Sequence, residues 1–213
     1  MKILHINTFL TGGAAVAALK LHRDISNAGI ESKLLCLHGN TDDAASIYKA
    51  EKKSPAKTIH YTWCKLQYKM IMATPIRKPN HEAFSFPYSM YDLAAEQLVQ
   101  EADIINLHWV SGFVDIPSFF KAIKKPIVWT LHDMNPFSGA FHYEDDELFN
   151  TSAMLGNINR QIRQIKENTY AQTDNLNIVT PSKWMMDESS ASRMFSRYPH
   201  TIFRFPWIRV YLL

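Results

Sequence analysis

What most limits the fold of this chain is a repeated order: a short apolar run, a break of small or polar residues, then a stretch with helical spacing. Lys2–Asn7 (KILHIN) is the first apolar run, bounded by Thr8 to Gly13, and reads as a buried strand. After Gly12-Gly13 a helix is predicted to about Ala28, with Gly29 as its carboxyl cap. Its polar stripe of Lys20, Arg23, Asp24 and Asn27 lies opposite Ala15, Ala18, Leu19, His22 and Ile25, the face that would cover a sheet. Further strands are predicted over Lys33–Leu37, Asp103–His108 (DIINLH), Pro126–Leu131 (PIVWTL) and Asn177–Thr180. Pro117–Ile123 reads as a helix, and so does Asn157 to Tyr170, with Ile158, Ile162 and Ile165 at helical spacing. Thr180-Pro181-Ser182 opens another, with Pro181 expected in its first turn. This alternation predicts an α/β fold: a Rossmann-like parallel sheet with helices on both faces and right-handed connections. Ligands of such sheets sit beyond the carboxyl ends of the strands. Thr8–Gly13, Leu37-His38, His108-Trp109 and His132-Asp133 fall at those ends.

The 213 residues are 46% hydrophobic, enough for a full core in one large domain, or in one domain plus a short appendage. No run approaches the roughly 18 apolar residues of a membrane span, since His5, Asn7 and Thr8 interrupt even Met1–Leu10. Those interruptions, and the lack of a small-residue cleavage site, also speak against a signal peptide, so a cytoplasmic protein is expected. Cys36 and Cys64 stand far apart without a partner motif, which argues against a disulfide scaffold or a CxxC zinc site. Net charge is +3, unevenly spread: Lys49–Pro79 holds eight Lys/Arg against Glu51 alone, a local +7 that leaves −4 for the rest. Tyr48, Tyr61, Trp63, Tyr68 and Met70 to Met72 interleave with that charge. Such a stretch suits peripheral contact with an anionic membrane or an anionic substrate, or is simply a solvated helical connection with an apolar underside. Nucleic acid is not an expected partner, because the charge is confined to one segment without a binding motif.

Thr11-Gly12-Gly13-Ala14-Ala15 joins the first strand to the first helix. Glycines there allow close approach of a ligand, and the amides of the first helical turn attract an anion such as a phosphate; a plain tight turn is the alternative. GxGxxG is absent and Cys36-Leu37-His38 stands where a ribose-binding acid would be, which argues against a bound dinucleotide. His132-Asp133 directly follows a strand, where the imidazole can bond a sugar hydroxyl or phosphate and the carboxylate can grip hydroxyls or orient the ring. His108-Trp109 ends its strand in the same way, and Trp109, Phe113, Phe137, Phe141 and Tyr143 offer faces that stack on sugar rings or pack a core. His108, His132, His142, Asp145 and Asp146 invite a metal, but no HxH or HExxH spacing supports one, and none is expected. No GxSxG elbow marks a serine nucleophile.

Four segments together, KILHINTFLTGGAAVAALKLHRDISNAGIESKLLCLH, ADIINLHWVSGFVDIPSFF, KKPIVWTLHDMNPFSG and NIVTPSKWMMDES, carry a resemblance. In order and spacing the chain resembles the amino-terminal half of a family 4 glycosyltransferase of two-domain GT-B architecture, of the kind that builds bacterial surface polysaccharides. The resemblance implies retaining transfer of a sugar from a nucleotide-sugar to a glycan or lipid-linked acceptor. It implies no metal and no cofactor, the nucleotide-sugar being a substrate. It places Gly12, Gly13 and Ala14 near the donor diphosphate, His132 as the catalytic residue contacting the transferred sugar, and His108, Trp109 and Asp133 on the acceptor side.

The resemblance spans residues 1–203, an acceptor-binding domain, and leaves 204–213 as an atypical basic-aromatic tail. The family's donor-binding domain carries two glutamates eight residues apart, and no such pair occurs here. The expectation is therefore a truncated or split enzyme, inactive alone. The alternative is a non-catalytic sugar- or acceptor-binding module that pairs with a separate donor-binding chain; an unrelated nucleotide-binding α/β protein is the third reading.

Overall fold

A computed structural model of the chain describes residues 1–42, 44–72, 84–148 and 153–203. The tail 204–213 and the end of the basic segment lie outside them. Strand β1 (Lys2–Phe9) shows how the sheet is built. Period-two alternation turns Leu4 and Ile6 to the larger apolar core, and sets His5 and Asn7 on the opposite face. β2 (Glu31–His38) divides likewise, Leu35 and Leu37 joining that core while Leu34 and Cys36 form a second cluster. β4 (Ile104–Leu107) and β5 (Ile127–Thr130) flank β1 on its other side, followed by β6 (Leu176–Thr180). Two three-residue strands, β3 (Ile47–Lys49) and β7 (His200–Ile202), close the edges. The seven strands run parallel in the order β3-β2-β1-β4-β5-β6-β7, the order 3-2-1-4-5-6 of the Rossmann sheet with one strand added.

Helix α1 (Gly13–Asn27) covers one face, its small Ala18 side chain letting it approach Leu34, Cys36 and Ile47. It ends in a Schellman turn: Gly29, at φ +81°, donates to Ser26 O, and Ile30 N–H donates to Ile25 O. α2 (Pro55–Met72) and α3 (Gln97–Glu101) connect β3 to β4. α4 (Ile116–Ala122) is capped by Asp115, and α7 (Lys183–Ala191) by Ser182. Pro181 therefore precedes that cap instead of entering the first turn. α5 (Glu144–Leu148) and α6 (Ala153–Ala171) complete the connection from β5 to β6. Phe120, Tyr170 and Phe195 pack around Trp129 in the larger core, where each such side chain contributes about 2–3 kcal/mol by leaving water.

α6 corrects one detail of the sequence reading. Its buried stripe is Asn159, Ile162, Lys166 and Tyr170, whereas Ile158 and Ile165 are only half-buried. No described helix is long and apolar enough to cross a membrane.

Candidate functional site

The carboxyl edge of the sheet carries a narrow cleft, open to solvent, at the ends of β4 and β5. His108, Trp109, His132 and Asp133 all line it, together with Asn135 and Lys166. Gly12, Gly13 and Ala14 follow β1 on the same edge but stand outside the cleft's walls. Gly12 and Gly13 are exposed, with open space where a Cβ would point. Gly12 needs its φ of +91°, and as helix cap it supplies no side-chain acceptor to the first-turn amides of α1.

His132 extends β5 by two residues, and its position decides its bonding. β1, β4 and β5 carry polar residues at alternate positions on one sheet face: His5 and Asn7, Asn106 and His108, Thr130 and His132. Parallel register brings them together. His5 Nδ1 lies 3.1 Å from His108 Nε2, and His108 Nδ1 lies 3.2 Å from His132 Nε2. Thr130 Oγ1 donates to Asn106 Oδ1 at 3.0 Å below this row. His5 and His108 are enclosed, at 0% and 1% exposure. Burial lowers the pKa of His5 to about 3, with neighbouring His22 adding to the effect, and puts His108 well below its ordinary range. His132 is lowered to about 4 by burial, against the pull of Asp133. The row is therefore a file of neutral imidazoles whose outermost ring lines the cleft. His108 borders the cleft, but both of its nitrogens face other imidazoles, so its hydrogen bonding reaches the site through His132.

Asp133 organises the rim. Its Oδ2 accepts from the Trp109 indole at 2.8 Å and from His142 Nδ1 at 2.5 Å, and its Oδ1 accepts from Asn135 N–H at 3.0 Å. Ser85 Oγ bonds His142 Nε2 at 2.8 Å and continues the chain. Trp109 is held by Asn7 and Thr8 as well: its backbone N–H donates to Asn7 Oδ1, and its carbonyl accepts from Thr8 N–H. The rings of His38, Phe9, Trp109 and His142 form a row across the strand ends, with centroids 5.0, 5.5 and 5.6 Å apart. Phe9 and Trp109 keep part of their faces open to solvent.

Lys166 is the cleft residue that the sequence reading missed. Its ammonium, reaching in from α6, donates to Gly139 O at 2.7 Å and to the carbonyl and Oδ1 of Asn135 at 2.5 and 3.2 Å. Burial lowers its pKa to about 7, Asp133 opposing and Arg163 assisting. The lysine ties the 133–142 turn to α6. Its signal was legible as the one charged side chain in the stripe Ile162, Lys166, Tyr170. His5 had a signal of the same kind, a polar residue within an apolar strand. Among the described residues no three His, Cys, Asp or Glu side chains are grouped to hold a metal ion.

Taken together, this edge can donate hydrogen bonds from a neutral imidazole, stack a ring on an aromatic row and offer uncapped helix amides to an anion. No protein-family model matches the chain, and no curated protein matches it.

Proposed function

We propose that the chain is the acceptor-binding half of a retaining glycosyltransferase that uses a nucleotide-sugar, the donor-binding half being supplied by a further domain or a separate chain. The observation that carries this reading is His132: a neutral imidazole at the end of a central parallel strand, at a cleft wall, held from behind by a second imidazole. A group that stays neutral across the physiological range serves as a hydrogen-bond donor to a sugar hydroxyl and not as a proton shuttle. The aromatic row from Phe9 to His142 suits the apolar face of a sugar ring. The open amides after Gly12 suit a leaving diphosphate, whose developing charge they would stabilise. The order of the four segments, which resembles that of family 4 glycosyltransferases, supports the same assignment.

The test is binding to the intact chain, read at the His132 ring by NMR. Methyl glycosides of glucose, galactose, mannose and N-acetylglucosamine are titrated singly, then UDP-glucose, GDP-mannose and NAD. At least one glycoside should shift the His132 resonance saturably, and His132→Ala should lose that binding while keeping its melting temperature. No response to any glycoside or nucleotide-sugar would overturn the reading, and tight NAD binding would replace it with a dinucleotide-binding one. Sugar binding without transfer, even with a donor-binding partner present, would leave a non-catalytic module.

A further inference from the structure

Helix α2 exposes large apolar side chains in a pattern that the proposed activity does not use. Ile59, Trp63, Leu66 and Met70 are 75%, 60%, 48% and 59% exposed. Their spacing of four, three and four residues puts all of them on one ridge, about 16 Å long at 1.5 Å per residue. The other side of α2 faces the protein. Cys64 is buried, His60 packs edge-on against Tyr88 at 4.3 Å, and Lys57 pairs with Asp92 at 2.8 Å. The helix is therefore seated by one face while a second apolar face looks outward. Isolated exposed apolar residues need no explanation, but a ridge of four with a tryptophan at its centre does.

Charge identifies what the ridge meets. α2 contains Lys57, Lys65 and Lys69 and no acid, and Lys49, Lys52 and Lys53 precede it. Lys65 and Lys69 are exposed, and at 100° per residue they lie roughly 90–130° round the helix from the ridge. A helix lying with the ridge downward holds those ammonium groups level with a headgroup layer, their methylene stems along its flank. A second copy docked about a two-fold axis would bring like charges together.

We propose that the Ile59–Met70 ridge of α2 docks this protein on an anionic lipid bilayer. Trp63 and its three neighbours enter the interfacial region, and Lys65 and Lys69 contact lipid phosphates. Each lysine that reaches the headgroups contributes about fivefold in partitioning. This surface is separate from the cleft, and it stands whether or not the chain takes part in sugar transfer.

The experiment is flotation of the full chain with vesicles of phosphatidylcholine alone and with about 30 mol % phosphatidylglycerol, at low and high salt. Binding should be at least tenfold greater on the anionic vesicles and should fall as salt rises. The double variant Lys65→Glu/Lys69→Glu should lose at least tenfold, and Trp63→Gln a comparable amount, with unchanged melting temperatures because all three side chains are exposed. Equal partitioning onto uncharged vesicles, failure of the wild type to float, or a double variant that floats like the wild type would overturn the proposal. A concentration-dependent dimer abolished by Trp63→Gln would assign the ridge to a second copy instead.

Discussion

His108 Nδ1 stands 3.2 Å from His132 Nε2, and this pair fixes what His132 offers to the cleft. Between two neutral imidazoles one nitrogen must donate and the other accept. The direction is set at the far end of the file, where His5 Nε2 is buried without a hydrogen-bond partner among the described residues. Donation inward from His132 would leave a bare N–H there. Donation outward leaves only a bare lone pair, the less costly of the two. The protons therefore run from His5 Nδ1 to His108 and from His108 Nδ1 to His132, and His132 keeps its own proton on Nδ1.

The tautomer is directly measurable. Nitrogen-15 correlation spectra of the histidine rings should find His132 protonated at Nδ1 and bare at Nε2. In His108→Phe the support is gone, and His132 should return to the Nε2–H form that imidazoles prefer in water. A wild-type His132 protonated at Nε2, or a variant that keeps Nδ1–H, contradicts the outward direction.

Acid should unfold the protein early. His5 and His132 fall from 6.5 to about 3 and about 4 on folding, so the unfolded chain binds more protons below pH 6.5. Stability is then full above that pH and falls as pH drops toward the folded values, by about 1.4 kcal/mol per pH unit for each histidine engaged. Urea titrations at pH 7.5, 6 and 5 would measure the slope. A flat profile over that range would mean that these rings titrate alike in both states.

Gly139 is required by space. A Cβ there would lie 1.9 Å from Asn159 Oδ1 and 2.9 Å from the Asn159 carbonyl, and the second of these atoms cannot rotate away. Asn159 Oδ1 also accepts from Ala140 N–H at 2.7 Å, and Gly139 O accepts from Lys166. Gly139→Ala should cost about 2–3 kcal/mol, which lowers the melting temperature by roughly 5–10 °C. Calorimetry checks it, and a variant that melts with the wild type would mean that α6 yields at no cost.

Gly13 gives the opposite case. Its Cβ would meet nothing within 4 Å and its φ is not positive, so the fold itself does not demand glycine. Gly13→Ala should hold or raise stability by up to about 1 kcal/mol. A methyl in front of the α1 amides should weaken pyrophosphate binding about tenfold, followed through the amide resonances of Gly13 and Ala14. Equal shifts in both proteins would remove these amides from the site.

The strands, the helices between them and their parallel arrangement were legible in the chain, because each major strand carries three or more apolar residues bounded by turn signals. β3 and β7 were not: three residues display no period, and they pair only because β2 and β6 offer free edges. In α6 the apolar spacing marks Ile162 but not the polar members of the buried stripe, Asn159 and Lys166, which hydrophobic periodicity does not register.

At the site, the sequence by itself set the strand-end positions of His108, Trp109, His132 and Asp133, since a strand's carboxyl end is a local property. It also set the alternate polar residues His5 and Asn7, Asn106 and His108, Thr130 and His132. Only tertiary structure decided that these three pairs would share one face and form a single file, for that depends on β4 lying beside β1 across 100 residues of chain. The same holds for Asp133, whose partners Trp109 and His142 come from two separate loops, and for Lys166, which α6 delivers to the turn. Hydrogen bonds between distant residues require a register, and register exists only once the sheet has formed.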